Sequence, residues 1–76
     1  LYYLGLCSFG LGEFRDAAKS LKKSLKINPD AAKSHYQLAL TYLELNKVRE
    51  ARKKLNILYM LDMNMYDSLN YHINNI

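Results

Sequence analysis

Apolar residues recur at helical spacing along almost the whole chain, with polar or turn-forming residues at the breaks in the pattern. The spacing predicts helices at about residues 1–11, 14–27, 29–45, 48–61 and 65–75. The second is the clearest, because Phe14, Ala17, Ala18, Leu21 and Leu25 form one stripe at the period of an α-helix. The 76 residues include only three Gly and one Pro, so the sequence predicts an all-α fold.

The other helices each carry a set of mainly apolar residues at helical spacing on one face, and the set on the fourth helix is expected to point inward. The faces comprise Leu1, Leu4, Ser8 and Leu11; His35, Leu38, Tyr42 and Leu45; Val48, Ala51, Leu55, Leu58 and Tyr59; and Tyr66, Leu69 and Ile73. The opposite side of the last helix is polar, which is typical of a helix that closes the end of a stack.

Two residues at the breaks are suited to ending a helix. Gly12 and Asn46 both tolerate the left-handed backbone conformation found there. Gly5 lies inside the first helix, where glycine costs about 1 kcal/mol relative to alanine. We therefore expect a close contact with another helix at Gly5.

The joints before the third and fifth helices contain residues that favour helix starts. Asn28 is predicted to cap the third helix, with Pro29 at its first position, where the missing N–H costs nothing. Asp62 or Asn64 is predicted to cap the fifth helix.

The chain overlays on itself when it is shifted so that Tyr2 falls on Tyr36. The other matching pairs are Leu4 and Leu38, Leu6 and Leu40, Leu11 and Leu45, Arg15 and Arg49, Ala17 and Ala51, and Leu21 and Leu55. Gly12 falls on Asn46, so the same turn is expected twice. A period of about 34 residues with two helices per unit resembles the tetratricopeptide repeat family.

Several residues stand where this family has its motif. Leu4-Gly5 matches the Leu-Gly pair of the first helix, Ala17 the small residue between the helices, and Pro29 the end of the unit. Leu1 departs from the motif, which prefers Trp there. The resemblance implies a right-handed helical-repeat solenoid: repeat 1 at about 1–31, repeat 2 at about 32–65 and a closing helix at about 66–76. Because the sequence starts at Leu1 rather than Met, we expect a fragment of a longer protein.

Catalytic, metal and cofactor chemistry is not indicated. The carboxylates are scattered, the glycines follow no strand, and Cys7, His35 and His72 do not have metal-ligand spacing. No apolar run approaches the roughly 18 residues of a membrane span. We therefore predict a protein that is not an enzyme and does not insert into a membrane.

The resemblance implies that the first helices of the repeats line a concave groove that binds a protein or peptide. The groove residues would be Tyr2, Leu6, Phe9, Lys33, Tyr36, Gln37, Leu40, Leu43, Asn70 and Tyr71. The Lys/Asn/Arg clamp of the chaperone-binding members is not expected, because its places hold residues such as Tyr2, Leu6 and Gln37. An apolar or amphipathic helical segment is the predicted ligand.

Two alternatives remain open at this point. The apolar groove or the ends of the stack could instead mate with a second copy of the chain, which would make it a homo-oligomer. Lys19, Lys23 and Lys26 share a face, and the net charge is +4. A basic patch could meet nucleic acid or an anionic membrane. However, no aromatic residue is interleaved with the lysines in sequence, so we interpret them as a solvated face and expect no nucleic-acid partner.

Overall fold

The computed structural model describes residues 1–74, and within them the chain forms five α-helices. These are α1 (Tyr2–Gly10), α2 (Phe14–Ile27), α3 (Ala32–Glu44), α4 (Val48–Leu61) and α5 (Met63–Asn74). The prediction of an all-α fold is confirmed. The predicted fifth helix extended to Asn75, which lies outside the described residues.

The central helix is α3, which contacts each of the other four helices. Consecutive helices also pack against one another, and the first helices α1, α3 and α5 contact in that order. The core therefore surrounds α3. Its buried apolar residues are Ala17, Ala18, Leu21, Leu38, Ala39, Tyr42, Ala51, Leu58, Leu69 and Ile73.

The two turns inside the repeats have the same geometry, as the sequence predicts. Gly12 has φ +80° and Asn46 has φ +60°. The N–H of Glu13 donates to the carbonyl of Ser8 at 2.9 Å, and the N–H of Lys47 donates to that of Tyr42 at 2.7 Å. Both bonds span five residues and close the end of a helix, so the turn of the first repeat recurs at the matching place in the second.

The close contact expected at Gly5 is present. Gly5 is buried, and its α-carbon faces Leu21 and the backbone carbonyl of Ala17 on α2. Ala17 and Leu21 are fully buried. This contact holds α1 against α2 and thereby sets the shape of the first repeat.

The prediction for the start of the third helix was wrong. Helix α3 begins at Ala32 with Ala31 as its N-cap, and Asn28 instead lies at the end of α2. The carbonyl of Asn28 accepts from the N–H of Ala31 at 3.2 Å, which makes the joint a turn. The carbonyl of Pro29 accepts from Nε2 of His35 at 2.7 Å. A side chain within α3 therefore stabilises this joint, and the N-cap residue Ala31 makes no side-chain capping bond.

Two further details of the second half differ from or refine the predictions. Tyr59 was expected to point inward but is 56% exposed, with its ring edge against Tyr66 at 5.2 Å between centroids. Asp62 is the cap of α5, because its Oδ1 accepts from the N–H of Asn64 at 3.0 Å and of Met65 at 3.2 Å. The helix accordingly starts at Met63, earlier than predicted.

Candidate peptide-binding surface

The residues predicted to line a groove lie on α1, α3 and α5, which are neighbours in the fold. We call this set the first-helix surface: Tyr2, Leu6, Phe9, Lys33, Tyr36, Gln37, Leu40, Leu43, Asn70 and Tyr71. Lys33 and Tyr71 are exposed, and the other eight are half-buried. None of the ten is fully buried, so each presents part of its side chain to solvent.

The first-helix surface contains two kinds of apolar residue. Tyr36, Leu40 and Leu43 on α3, together with Tyr2 on α1, pack against the hydrophobic core with their inner sides. Leu6 and Phe9 do not join that core, and Phe9 instead meets Phe14 edge-to-face with 5.2 Å between ring centroids. Packing against the hydrophobic core therefore accounts for the apolar residues of α3 but not for Leu6 and Phe9.

The α5 end of the surface is polar. The side-chain amide of Asn74 donates to Oδ1 of Asn70 at 3.3 Å, and the ring of Tyr71 lies edge-on to His72 with 6.2 Å between centroids. Lys33 adds the one positive charge among the ten residues. A ligand on this surface would thus meet apolar groups on α1 and α3 and amide groups on α5.

A histidine side chain of α3 is buried. His35 is buried, and because a carbonyl oxygen can only accept, its Nε2 carries the hydrogen that is donated to Pro29. Its Nδ1 is buried without a partner. Burial lowers the pKa of His35; the bond to Pro29 opposes this, the charge of Lys54 lowers it further, and Asp30 raises it. The lowered pKa disfavours the protonated form of His35, and the bond from Nε2 to Pro29 connects α3 to the turn before it.

Sequence reasoning missed several exposed apolar residues outside the first-helix surface. The most exposed of them are Met60 at 82%, Tyr3 at 78% and Ile27 at 77%. Tyr3 lies next to Tyr2, with the two rings edge-to-face at 5.4 Å, so adjacency to a predicted groove residue was the signal that could have found it. For Met60 and Ile27 the sequence holds no comparable signal.

One face of α1 is also open to solvent. We call it the open face of α1; its residues are Leu1, Leu4 and Leu11, which are 48%, 56% and 75% exposed. In contrast, Leu38 on α3, the counterpart of Leu4, is 0% exposed. Within residues 1–74, no other helix covers this face.

Metal binding and membrane insertion find no support in the described part of the chain. Within residues 1–74, no group of three or more His, Cys, Asp or Glu side chains could hold a metal ion. Over the same residues, every helix is too short or too polar to cross a bilayer.

The comparison with known protein families gives a match over most of the chain. The family model described as "Anaphase-promoting complex, cyclosome, subunit 3" matches residues 1–56, which include α1, α2, α3 and most of α4. No curated protein matches the chain, and no solved structure does.

Proposed function

Because the chain belongs to this tetratricopeptide-like repeat family, whose members generally mediate protein–protein interaction, we propose that its first-helix surface binds an apolar or amphipathic peptide segment. The carrying observation is that α3 lies between α1 and α5 and contacts both. Their apolar and aromatic residues can therefore act together on one extended ligand. In this role the chain is an adaptor or scaffold element without catalytic activity.

The chemistry of the surface favours an apolar ligand face over a carboxylate. Lys33 is its one cation, whereas Tyr2, Leu6, Tyr36 and Leu40 offer broad apolar area. Half-buried tyrosines are well suited to such contacts, since the ring buries area while the hydroxyl keeps a polar partner. An amphipathic helix would lay its apolar residues on α1 and α3.

The test uses fluorescein-labelled amphipathic peptides of about 15 residues with leucines at i, i+3, i+4 and i+7, measured by fluorescence anisotropy. Tyr36→Ser combined with Leu40→Ser should abolish binding. Since both residues also touch the core, this double variant requires a helicity check by circular dichroism.

A second variant separates binding from folding. Leu6→Ser removes an apolar group that does not belong to the core, so it should weaken binding while the free energy of unfolding changes little. Ile27→Ser is the matched control, because Ile27 is 77% exposed at the end of α2. Unchanged affinity in Leu6→Ser, or no binding of any peptide in the panel, would reject the groove.

A second candidate function is self-association through the open face of α1. The observation that favours it is the difference between Leu4, at 56% exposure, and its repeat counterpart Leu38, at 0%. Burying apolar surface contributes about 25 cal/mol per Å², so a second copy that covered this face would gain stability.

Sedimentation equilibrium over a wide concentration range distinguishes the two functions. Self-association predicts a concentration-dependent dimer or larger species that Leu4→Ser with Leu11→Ser converts to monomer, while Ile27→Ser leaves it unchanged. A monomer at every concentration would remove this candidate and leave the first-helix surface open for the peptide test.

A further inference from the structure

A concave surface lies along α2, next to the C-terminal part of α3. The cleft has a volume of about 410 Å³. Six basic residues surround it: Arg15, Lys19, Lys22, Lys23, Lys26 and Lys47. Its remaining lining residues are Ala18, Tyr42 and Leu45, which form an apolar floor. We call it the basic cleft.

The basic cleft concentrates positive charge. Within residues 1–74, none of its six cations takes part in a salt bridge. The pKa of the neighbouring Lys54 is lowered, first by burial and then by the charge of Lys22. Like charges held close together without counterions destabilise a fold, so an anionic partner would gain from this arrangement.

The repeat architecture does not require three of these lysines, Lys22, Lys23 and Lys26. The positions that match Lys22, Lys23 and Lys26 in the second repeat hold Asn56, Ile57 and Met60, although both repeats fold into the same helix pair. Arg15 and Lys19 recur in the second repeat as Arg49 and Lys53, and Lys47 lies in that repeat. The charges of Lys22, Lys23 and Lys26 are therefore specific to the first repeat, so the packing of the helix pair does not account for them.

We propose that the basic cleft binds an extended acidic peptide segment that inserts one apolar side chain onto its floor. From Arg15 to Lys26 the helix rises by about 16 Å, which corresponds to roughly five residues of extended chain. Basic residues four apart on α2 lie about 6 Å apart along the axis. Alternate residues of an extended segment repeat at about 6.6 Å, so acidic residues at every second position match them.

Two features of the cleft favour a peptide over nucleic acid. Single-stranded nucleic acid gains much of its affinity by stacking bases on exposed aromatic rings. Tyr42 is the aromatic residue of the cleft, but it is only 7% exposed and Nζ of Lys22 lies 5.8 Å from its ring centroid. The floor of Ala18 and Leu45 instead suits an aliphatic side chain.

The negative charges of Glu13 and Asp16 limit where the acidic residues of a partner peptide can bind in the basic cleft. Glu13 and Asp16 line a shallower hollow that shares Arg15 and Leu45 with the basic cleft. They place negative charge at the Arg15 end, so the partner's carboxylates pair with the cations towards Lys26.

The probe is a fluorescein-labelled peptide of about ten residues, long enough to span the cleft, with Glu at alternate positions and one central Leu. Anisotropy titrations with Lys19→Glu combined with Lys23→Glu should give a Kd about tenfold higher than wild type. The matched control is Arg52→Glu with Lys53→Glu on α4, which makes the same change in net charge at exposed positions outside the cleft. This control should leave the Kd near the wild-type value.

Three results would overturn the proposal. One is no binding by the wild-type protein at peptide concentrations up to about 1 mM. Another is an equal loss in both charge-reversal variants, which would show attraction to net charge alone. The last is a labelled thymidine oligonucleotide of about ten nucleotides that binds more tightly than the peptide and loses affinity in the same variant, since that would assign the cleft to nucleic acid. Circular dichroism of both variants checks that the helices are intact.

Discussion

A β-carbon built on Gly5 would lie 2.7 Å from Cγ and 2.9 Å from Cδ2 of Leu21. Leu21 is fully buried, and the contact involves its branch point, so the side chain cannot swing aside. This pair sets how closely α1 approaches α2, and it explains why a residue that disfavours helices is present in the middle of α1.

Gly5→Ala should therefore destabilise the protein although alanine is the better helix former. Overpacking a core costs about 1–3 kcal/mol, which exceeds the gain of about 1 kcal/mol from helix propensity. Urea unfolding followed by circular dichroism measures the difference. The control is Gly10→Ala, where the new β-carbon meets nothing within 4 Å and the free energy of unfolding should rise by up to about 1 kcal/mol. If both variants gained stability, the Gly5–Leu21 contact would not limit the approach of the helices.

The left-handed turns at Gly12 and Asn46 give a second prediction. Gly12→Ala and Asn46→Ala should each lower stability by about 1 kcal/mol, because a β-carbon is strained at positive φ. The exchange of residue types, Gly12→Asn or Asn46→Gly, should be nearly neutral, since both types adopt this conformation. Thermal unfolding midpoints test all four variants, and a neutral alanine at either site would contradict the equivalence of the two turns.

The cap of α5 gives a third prediction. Asp62→Ala removes the acceptor for the N–H groups of Asn64 and Met65 and should cost about 1 kcal/mol. Asp62→Asn keeps a capping oxygen and should retain most of that stability. The loss should appear in urea midpoints and in the far-ultraviolet helix signal; a silent Asp62→Ala would mean that the closing helix does not depend on this cap.

His35 predicts a dependence of stability on pH. The pKa of His35 in the folded protein is lowered, chiefly by burial. Below about pH 6.5, the unfolded chain therefore binds a proton at His35 more readily than the folded protein does. The contribution of His35 to the free energy of unfolding is fully present above that pH and is lost as the pH falls through the pKa of the folded state. Its buried Nδ1 would gain an N–H with no acceptor in the structure, which is the physical origin of the penalty.

Thermal unfolding of the wild type and of His35→Gln at about pH 7.5 and 5.5 tests this sign. The wild type should lose stability at the lower pH, whereas His35→Gln, which has no titrating group there, should lose less. A wild type that becomes more stable on acidification would show that the folded state favours the protonated imidazole.

The repeat and the spacing of its turns were predictable because they depend on local chemistry. Gly12 and Asn46 occupy the same position in the two repeats and both have positive φ, which follows from the few residue types that tolerate that conformation. The apolar stripe that contains Ala17 and Leu21 was equally predictable, because its helical period defines one apolar face independently of the helix that packs against it.

The candidate site was predictable only in part. The choice of α1, α3 and α5 followed from the resemblance to a repeat family, and the three helices are neighbours in the structure. The sequence did not separate Leu6, which lies outside the core, from Leu40, which packs against it. Both residues occupy the same position in the repeat, so the difference arises because α3 has helices packed on both sides, whereas α1 lies at the end of the described stack.

The sequence by itself thus determined the helices, the two equivalent turns and the tight contact at Gly5, because each depends on residue type and on spacing along one chain segment. Tertiary structure alone decided which faces are covered. Leu4 and Leu38 are equivalent in sequence, yet one is exposed and the other buried, because α2 lies against α3 and no described helix lies against the open face of α1. The same holds for the basic cleft, where Tyr42 and Leu45 from the α3 end turn a row of lysines on α2 into a concave surface.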